Sequence, residues 1–308
     1  MDNSSLPLDD LLASVLQRRA SQNRFRQLTV AAPGAIDFSS NGYLCLATNA
    51  EVRASFLGRL LQQQSSLALG SGGSRLLDGN TATVERLEAS IAAFHGAGAG
   101  LLFNSGFDAN TGLFGSVPGP DDVVVYDELI HASVHDGLRQ SRARRAMAFG
   151  HNCIWGKEQQ QKKQQSEKQQ QKQQNEQQQK QQQNEQQQQK QQRQHEQPSL
   201  AQLLSALAHA PGNVFVAVES VYSMDGDLAP LNDIVACMQK LLPRGNGYLV
   251  VDEAHATGWL GDQGRGLVNH LGLEKHVWAR IHTFGKALGC GGGAYNSFCV
   301  SGARRLDV

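Results

Sequence analysis

Two segments of the chain place an acidic residue, a histidine and a lysine after apolar runs. In the first, Tyr248–Val251 is followed by Asp252-Glu-Ala-His255, and in the second, Ile281–Thr283 is followed by Phe-Gly-Lys286. The first run predicts a strand that carries Asp252 to its carboxyl end. A buried carboxylate there needs a cationic or hydrogen-bonding partner, since burying it alone is costly. Taken singly, such an aspartate is usually a cap or turn residue and such a lysine is usually solvated, so the combination indicates chemistry.

The order Asp-Glu-Ala-His resembles the Mg²⁺-binding motif of the DEAH-box helicases. Such an ATPase also needs a phosphate loop of the form G-x-x-x-x-G-K-[ST]. The chain has Gly-Lys pairs only at 156–157 and 285–286, and neither has the upstream glycine or the Ser or Thr that must follow the lysine. The sequence therefore excludes an ATPase of this type.

The second interpretation is the chemistry of pyridoxal 5'-phosphate. This cofactor needs a lysine for a Schiff base, a carboxylate at its pyridinium nitrogen and donors for its phosphate. Lys286 and Asp252 fit the first two roles. For the third, the apolar run Leu101–Phe103 passes through the small turn Asn104-Ser-Gly106 into a helix, whose first backbone N–H groups are suited to a phosphate. The sequence predicts pyridoxal phosphate as the cofactor.

Seven motifs in one order along the chain strengthen this interpretation. They are Asp37–Leu44, Gly70–Arg75, Ser105–Asn110, His131–Ser133, Tyr222–Gly226, Asp252–Gly258 and Thr283–Lys286. With them the chain resembles the α-oxoamine synthases, the branch of fold-type I pyridoxal-phosphate enzymes that condense an amino acid with an acyl thioester. The resemblance runs from about Asp37 to the end, apart from a Gln/Lys-rich tract, and implies a pyridoxal-phosphate-dependent acyltransferase.

The resemblance implies three catalytic positions. Lys286 would form the Schiff base and shuttle the α-proton of the substrate. Asp252 would pair with the pyridinium nitrogen and keep it protonated. His131 would stack on the face of the cofactor ring opposite the lysine.

The resemblance also implies which other residues bind the cofactor. His255, helped by Ser223, would hydrogen-bond its phenolic oxygen. Gly106 and Phe107 would hold the phosphate through their backbone, and Thr283 would add its hydroxyl. Two of these residues have an ordinary alternative: His131 could be a helix-start residue, and Ser223 could be a turn residue before Asp225-Gly226.

Substrate contacts are implied for Asn41, for Ser74 and for one of Arg24 and Arg26, of which Arg26 is preferred. The family usually has aspartate after this asparagine, whereas this chain has Gly42. The glycine-rich loop that contains Ser74 resembles one that reaches the cofactor of a neighbouring subunit. The resemblance therefore implies a homodimer with shared active sites.

Within the family, the glycine-rich loop and the segment from Thr283 to Gly289 are most similar to one branch. That branch joins L-alanine to a pimeloyl thioester, pimeloyl-CoA or pimeloyl-ACP, with loss of CO₂, and gives 8-amino-7-oxononanoate for biotin synthesis. The alternatives are the branches of 5-aminolevulinate synthase, 2-amino-3-ketobutyrate ligase and serine palmitoyltransferase. Family members continue past residue 308 into a C-terminal small domain. We expect that domain to be absent here, and an inactive remnant that only binds cofactor or dimerises is a further alternative.

The elements that position these residues are visible as short apolar runs separated by helical stretches. The runs are Leu101–Phe103, Val123–Tyr126, Val214–Val218, Tyr248–Val251, Ile281–Thr283 and Ser297–Val300. They are mostly unbroken rather than alternating, as in strands buried on both faces. Helical spacing is seen in Val84–Phe94, Ala201–Ala208 and Leu231–Leu242, with Gly96 a plausible stop for the first. The pattern predicts an α/β fold with a mostly parallel sheet, and the resemblance implies the three-layer α/β/α large domain of fold-type I.

A tract rich in Gln and Lys interrupts this pattern. Of the 39 residues from 159 to 197, 24 are Gln, and none is aliphatic or aromatic. Such a segment cannot bury a core, so we predict a disordered insertion without a catalytic role. The predicted organisation is an N-terminal helical segment at 1–36, the first part of the large domain at 37–157, the insertion at 158–197 and the second part at 198–308.

Charge and cysteine content limit the partners and the compartment. The 28 basic and 28 acidic residues cancel, but the tract carries +3 and the rest of the chain −3. A weakly acidic body argues against nucleic acid or an anionic membrane as partner. Five scattered cysteines without a CxxC pair fit neither a disulfide framework nor a zinc site. With no secretory signal and no apolar run of about 20 residues, we predict a soluble cytoplasmic protein, with a peroxisome or another organelle left open.

Overall fold

The computed structural model of the protein describes residues 7–63, 70–156 and 197–297. Residues 157–196, which hold nearly all of the predicted Gln/Lys-rich insertion, lie outside the described residues. The last three residues of the predicted strand Ser297–Val300 also lie outside them. The chain divides into two compact units, Met1–Ser40 and Asn41–Val308.

The first unit contains helix α1, Pro7–Ser21, which lies within the predicted N-terminal segment 1–36. Proline suits the first position of a helix because an N–H at that position has no acceptor within the helix, so proline loses no hydrogen bond there. Asp9 and Asp10 in the first turn and Arg18 and Arg19 in the last turn match the helix dipole. No helix among the described residues is long and apolar enough to cross a membrane.

Seven strands in the described part of the second unit form one sheet. They are β1 Ala99–Phe103, β2 Val123–Asp127, β3 Arg145–Phe149, β4 Val214–Glu219, β5 Gly247–Asp252, β6 Ala279–Thr283 and β7 Gly293–Ser297. Their order is β1-β7-β6-β5-β4-β2-β3. The run from β6 to β3 is parallel, whereas β7 is antiparallel to both neighbours. The predicted mostly parallel α/β sheet is therefore confirmed.

Seven α-helices lie in the described part of this unit, and side chains cap the first turn of some of them. They are α2 Ala50–Gln63, α3 Ala82–Phe94, α4 Gly106–Ser116, α5 Ala132–Gln140, α6 Leu200–Leu207, α7 Leu231–Leu241 and the short α8 Leu267–His270. The Thr81 hydroxyl accepts the Val84 N–H at the start of α3, and Ser199 forms a capping box with Gln202 at the start of α6. Gly96 has φ +62° just after α3, the left-handed conformation that ends many helices.

The sheet is covered on both faces, which makes three layers. On one face, Leu204 of α6 and Ile234 of α7 belong to the same buried cluster as Val216 of β4. On the other, Phe114 of α4 packs in a second buried cluster with Ala217 of β4. Because consecutive residues of β4 face opposite sides, the whole strand is buried, which explains its unbroken apolar run.

Two strands differ from the sequence prediction. Strand β3 was not predicted, because Arg145–Phe149 is an edge strand whose first residues are exposed. Strand β7 begins at Gly293, four residues before the predicted Ser297–Val300 run. Its backbone is paired with β1 and β6 on both sides, so tertiary pairing rather than apolar content makes it a strand. A Cβ at Gly293 would lie 2.5 Å from the Gly106 nitrogen, so only glycine fits this approach.

Candidate active site

The candidate site lies at the carboxyl edge of the parallel strands. Asp252 ends β5 and stands in register with Glu219, which ends β4, so their side chains emerge on the same face of the sheet. Both are buried, with 6% and 4% of their surface exposed. Lys286 follows the end of β6, the next strand in the sheet, and its charge interacts with both carboxyl groups. The topology therefore brings the predicted lysine and carboxylate to one edge.

The Asp252 carboxylate is held by two donors. Its Oδ1 accepts the Ala254 N–H at 2.8 Å, and its Oδ2 accepts Nδ2 of Asn110 at 2.7 Å. Asn110 lies in the middle of α4, 142 positions before Asp252, so this bond links the end of β5 to a helix that comes much earlier in the chain. These bonds offset part of the cost of burying the charge and fix the direction of the carboxylate.

A chain of hydrogen bonds connects this carboxylate to the predicted ring-stacking histidine. Nδ2 of Asn110 also donates to the Ser133 hydroxyl at 3.0 Å, and that oxygen lies 2.7 Å from Nδ1 of His131. The Ser133 N–H points at the same Nδ1 at 3.2 Å, because His131 caps the start of α5. With Nδ1 accepting both bonds, the remaining hydrogen of a neutral His131 ring is on Nε2. The imidazole orientation is thereby tied to Asp252.

Lys286 contacts the second predicted histidine directly. Its Nζ lies 2.8 Å from Nε2 of His255, and the other ring nitrogen, Nδ1, lies 2.7 Å from the Tyr43 hydroxyl. The Trp259 indole N–H donates to the His255 backbone carbonyl at 2.6 Å and steadies this turn. When Lys286 donates to Nε2, Nδ1–H donates to the Tyr43 oxygen, so the ring is bonded at both nitrogens.

Burial tunes both partners of this contact toward their neutral forms. Burial lowers the pKa of Lys286 below its usual value of 10.5, although Asp252 and Glu219 oppose the shift. Burial and the neighbouring Lys286 charge lower the pKa of His255 to about 4, so its ring is neutral near pH 7. The unprotonated nitrogen of a neutral imidazole can accept a hydrogen bond, and a lysine with a lowered pKa can act as a base.

The start of α4 forms a cradle that fits a small anion. The Ser105 hydroxyl caps the Asp108 N–H at 3.0 Å, and the N–H groups of Gly106 and Phe107 have no partner within the helix. A Cβ at Gly106 would lie 3.1 Å from Cβ of Thr283, so any larger residue would fill the space between this backbone and the threonine. The Phe107 ring lies edge-on to His131, with ring centroids 6.1 Å apart. Backbone donors, a hydroxyl and a helix N-terminus form a donor set that suits a phosphate.

The other predicted residues are less closely engaged. Ser223, Asn41 and Ser74 are exposed, and within the described residues their side chains make no hydrogen bond. Arg26 is exposed in the first unit. Within the second unit, the structure therefore brings together Lys286, Asp252, His255, His131, Gly106, Phe107 and Thr283, but it does not add Ser223, Asn41 or Ser74 to that group.

Comparison with known proteins decides the family. Residues 33–301 match the family described as aminotransferase class I and II. The chain belongs to this family. One relative is an 8-amino-7-oxononanoate synthase of Emericella nidulans, 45% identical over 94% of this chain and 61% of that protein. Another 8-amino-7-oxononanoate synthase, from Chlorobaculum parvum, is 30% identical over 98% of this chain and 69% of that protein.

Solved structures agree with this assignment of the aminotransferase class I and II fold. A serine palmitoyltransferase of Sphingomonas wittichii has a TM-score of 0.64 and 25% identity over 96% of this chain and 64% of that chain. The chain spans about three fifths of the length of the Emericella nidulans relative. These likenesses confirm the resemblance to the α-oxoamine synthases and the predicted fold-type I architecture.

Four residues of the site were not predicted from the sequence. Tyr43, Asn110 and Ser133 lie inside motifs that were recognised, but their contacts join elements that are far apart in sequence. Glu219 ends an apolar run just as Asp252 does, and that shared position was the available signal. Burial, followed by the neighbouring Asp252 charge, raises the pKa of Glu219 to about 8, while Lys286 opposes the shift.

We expect the free energy of unfolding of the Glu219→Gln variant to increase relative to that of wild type as the pH rises. Between the unfolded pKa near 4.5 and the folded value of about 8, the folded protein keeps a proton that the unfolded chain has lost, so wild-type stability falls across this window. The difference in free energy of unfolding between E219Q and wild type should grow by about 2 kcal/mol from pH 6 to pH 9. Urea unfolding at both pH values measures it, with the exposed-site variant Glu51→Gln as control. An unchanged difference would mean that Glu219 is already ionised at pH 6.

Proposed function

We propose that the chain is a pyridoxal-phosphate-dependent acyltransferase that condenses L-alanine with a pimeloyl thioester, pimeloyl-CoA or pimeloyl-ACP, with loss of CO₂, to give 8-amino-7-oxononanoate. The observation that carries the proposal is the half-buried Lys286 amine, with a lowered pKa, 2.8 Å from a neutral His255 and at the same sheet edge as the buried Asp252. The names of relatives at 45% and 30% identity support the choice of reaction.

The residues present fit pyridoxal phosphate. The gap between Gly106 and Thr283 has the donors that a phosphate needs, and the buried Asp252 is a partner for a cationic ring nitrogen. Asn110 Oδ1 is buried without a hydrogen-bond partner among the described residues, which marks this region as polar and incompletely satisfied. When bound, the cofactor would supply the electron sink that stabilises negative charge on the α-carbon of an amino acid.

Lys286 has the properties of the base that moves the α-proton. Because burial favours its neutral form, Nζ can accept a proton near neutral pH more readily than an exposed lysine can. The proton that it holds can be shared with Nε2 of His255 at 2.8 Å. Tyr43 fixes the other side of that ring, so the histidine keeps its direction while the proton moves.

His131 and Asp252 have positioning roles in the proposal. Asp252 places a fixed negative charge at the sheet edge, and the Asn110–Ser133 chain keeps His131 in a set orientation relative to it. A preorganised carboxylate contributes more than a mobile one because no reorganisation is needed during the reaction. We include Ser223 as a cofactor contact and Asn41, Ser74 and Arg26 as substrate contacts, on the resemblance of their motifs.

Serine is the competing amino-acid substrate. The structural relative from Sphingomonas wittichii is named a serine palmitoyltransferase, and so is a relative from Caulobacter vibrioides at 30% identity. The higher identity of the Emericella nidulans 8-amino-7-oxononanoate synthase favours L-alanine. We also propose a homodimer, because the loop that contains Ser74 resembles one that completes a neighbouring active site.

Purified full chain incubated with pyridoxal phosphate tests the proposal. We expect a protein-bound absorbance distinct from that of free cofactor and, after borohydride reduction, a modified peptide that contains Lys286. L-alanine, L-serine and glycine are then each combined with pimeloyl-CoA and with palmitoyl-CoA, and release of the free thiol is followed. The expected pair is L-alanine with pimeloyl-CoA. Faster release with L-serine and palmitoyl-CoA would contradict the proposed substrates, and cofactor uptake without thiol release from any pair would leave only a cofactor-binding protein.

A further inference from the structure

A second group of charged side chains lies at the same sheet edge and takes no part in the reaction described above. His151 follows β3, and its Nδ1 is 2.8 Å from Oδ1 of Asp127, the last residue of β2. Its other ring nitrogen, Nε2, is 2.8 Å from Oδ2 of Asp227. A neutral imidazole has only one N–H, so a ring that donates to two carboxylates carries a proton on each nitrogen. His151 is therefore an imidazolium that bridges two acidic residues.

The surroundings of His151 favour this charged form. Burial acts against it, but Asp127 and Asp227 outweigh burial and raise the pKa of His151 to about 9. Among the residues that the structure describes, the other titratable groups that face His151 are Glu128, whose Oε1 accepts the His151 backbone N–H at 2.9 Å, and Tyr222, whose ring packs edge-on with centroids 4.5 Å apart. The protein therefore carries this imidazolium at neutral pH.

The two carboxylates belong to different parts of the fold. Asp127 is fully buried, and its oxygens also accept the backbone N–H groups of Leu129 and Asn152, each at 2.9 Å, which makes it a fixed anchor. Asp227 belongs to the turn 221–228. Within the turn, the backbone carbonyl of Asp227 accepts the Tyr222 N–H. From outside the turn, the side chains of His151 and Asn152 contact the Asp227 carboxylate.

The turn that Asp227 closes carries Ser223. Val221 and Leu228 form a bridge at its base, the Tyr222 N–H donates to the Asp227 carbonyl at 3.0 Å, and the Gly226 N–H donates to the Tyr222 carbonyl at 2.8 Å. Ser223 itself is exposed at this turn. Its position relative to the sheet edge therefore depends on what holds the two ends of the turn.

We propose that His151 is a positioning residue whose imidazolium ties the 221–228 turn, and with it Ser223, to the carboxyl end of β2. The inference rests on the proposed function, in which Ser223 contacts the cofactor. His151 touches neither substrate nor cofactor; it acts through Asp227 and the turn. We call the contact between His151 and Asp227 the tether. Without it, the turn opens more often and the cofactor is held less tightly.

The tether depends on pH in one direction. Because the pKa of His151 in the folded protein is raised from 6.5 to about 9, the stabilisation is complete below about pH 6.5 and is lost as the pH rises through about 9. Removing the charge leaves two carboxylates facing a ring that can donate to only one of them. Opening of the turn should therefore increase toward alkaline pH in wild type and should vary less with pH once the histidine is replaced.

Amide hydrogen exchange of the full chain without cofactor measures the tether. Wild type, His151→Gln, Asp227→Asn and the double variant are compared at pH 7 and pH 9.5, with each rate divided by its intrinsic rate at that pH. The matched control is His209→Gln, which alters an exposed histidine. We expect the Tyr222 and Gly226 amides of H151Q to lose roughly tenfold protection at pH 7, as expected for the loss of a charge-assisted hydrogen bond. The D227N variant should lose a similar amount, and the double variant little more, because both changes break one tether.

The dissociation constant of pyridoxal phosphate, measured by the absorbance of the bound cofactor, provides the second readout. We expect about tenfold weaker binding in H151Q at pH 7 and a smaller ratio at pH 9.5, where wild type has also lost the charge. Unchanged protection of the turn in both single variants would overturn the inference, and so would reduced protection with unchanged cofactor affinity. Wild-type protein that does not bind pyridoxal phosphate would instead refute the proposed function, and the exchange data, which need no cofactor, distinguish that case.

Discussion

Lys286→Ala is expected to abolish covalent attachment of pyridoxal phosphate and to lower the rate of thiol release by on the order of 10⁴-fold or more, as for loss of a residue that is both nucleophile and base. Among the described residues, Lys286 is the lysine whose pKa is lowered by burial and that contacts His255. Alanine leaves Nε2 of His255 without its amine partner and leaves nothing at that position to accept the α-proton. Borohydride reduction followed by peptide mass spectrometry, and steady-state rates with L-alanine and pimeloyl-CoA, measure the two effects.

The matched control for this variant is Lys275→Ala. Lys275 is an exposed lysine eleven positions earlier in the chain, and its loss should leave both readouts within a factor of about two. Urea unfolding of K286A verifies that the variant is folded. Retention of borohydride-stable cofactor in folded K286A would show that another lysine carries it and would refute the assignment of Lys286.

Asp252→Asn is expected to lower the turnover rate by roughly 100-fold or more while the protein stays folded, since it removes a preorganised charge from the site. The isosteric amide can still accept the Ala254 N–H through its oxygen. Its NH₂ group would face Nδ2 of Asn110, and a half-turn of the Asn110 amide would bring the unpartnered Oδ1 to it but would take Nδ2 away from the Ser133 hydroxyl. The variant therefore removes the charge and also changes the hydrogen bond between Asn110 and Ser133.

Two measurements separate this effect from a general disturbance of the site. Because the Asp252 charge acts to raise the pKa of Lys286, the pKa of the lysine should fall further in D252N, and the acid limb of the pH–rate profile should shift to lower pH. Glu219→Gln is the matched control, because it removes a carboxyl group from the same face of the neighbouring strand, where the acid is largely protonated near pH 7. Turnover in D252N within threefold of wild type would contradict the role assigned to Asp252.

Much of the scaffold could be predicted because its signals are local. The unbroken run Val214–Val218 predicts a strand buried on both faces, and β4 is buried along its whole length. Thr81 before α3 and Gly96 after it bracket a helix through hydrogen bonds and a φ angle that depend on neighbouring residues alone. Edge strand β3 and strand β7 could not be found in this way, since β3 begins with exposed residues and the segment Gly293–Ser297 is not an apolar run.

The sequence by itself predicted which residues carry the chemistry and which strand ends present them. Asp252 and Lys286 could be assigned because one follows an apolar strand and both lie in motifs of recognisable order. Only the tertiary structure decided how these groups are held and tuned. Asn110 meets Asp252 across 142 positions, and His151 meets Asp227 across 76. The physical reason is that strand formation depends on local apolar content, whereas a buried charge is set by whichever polar groups the folded chain brings within hydrogen-bonding distance.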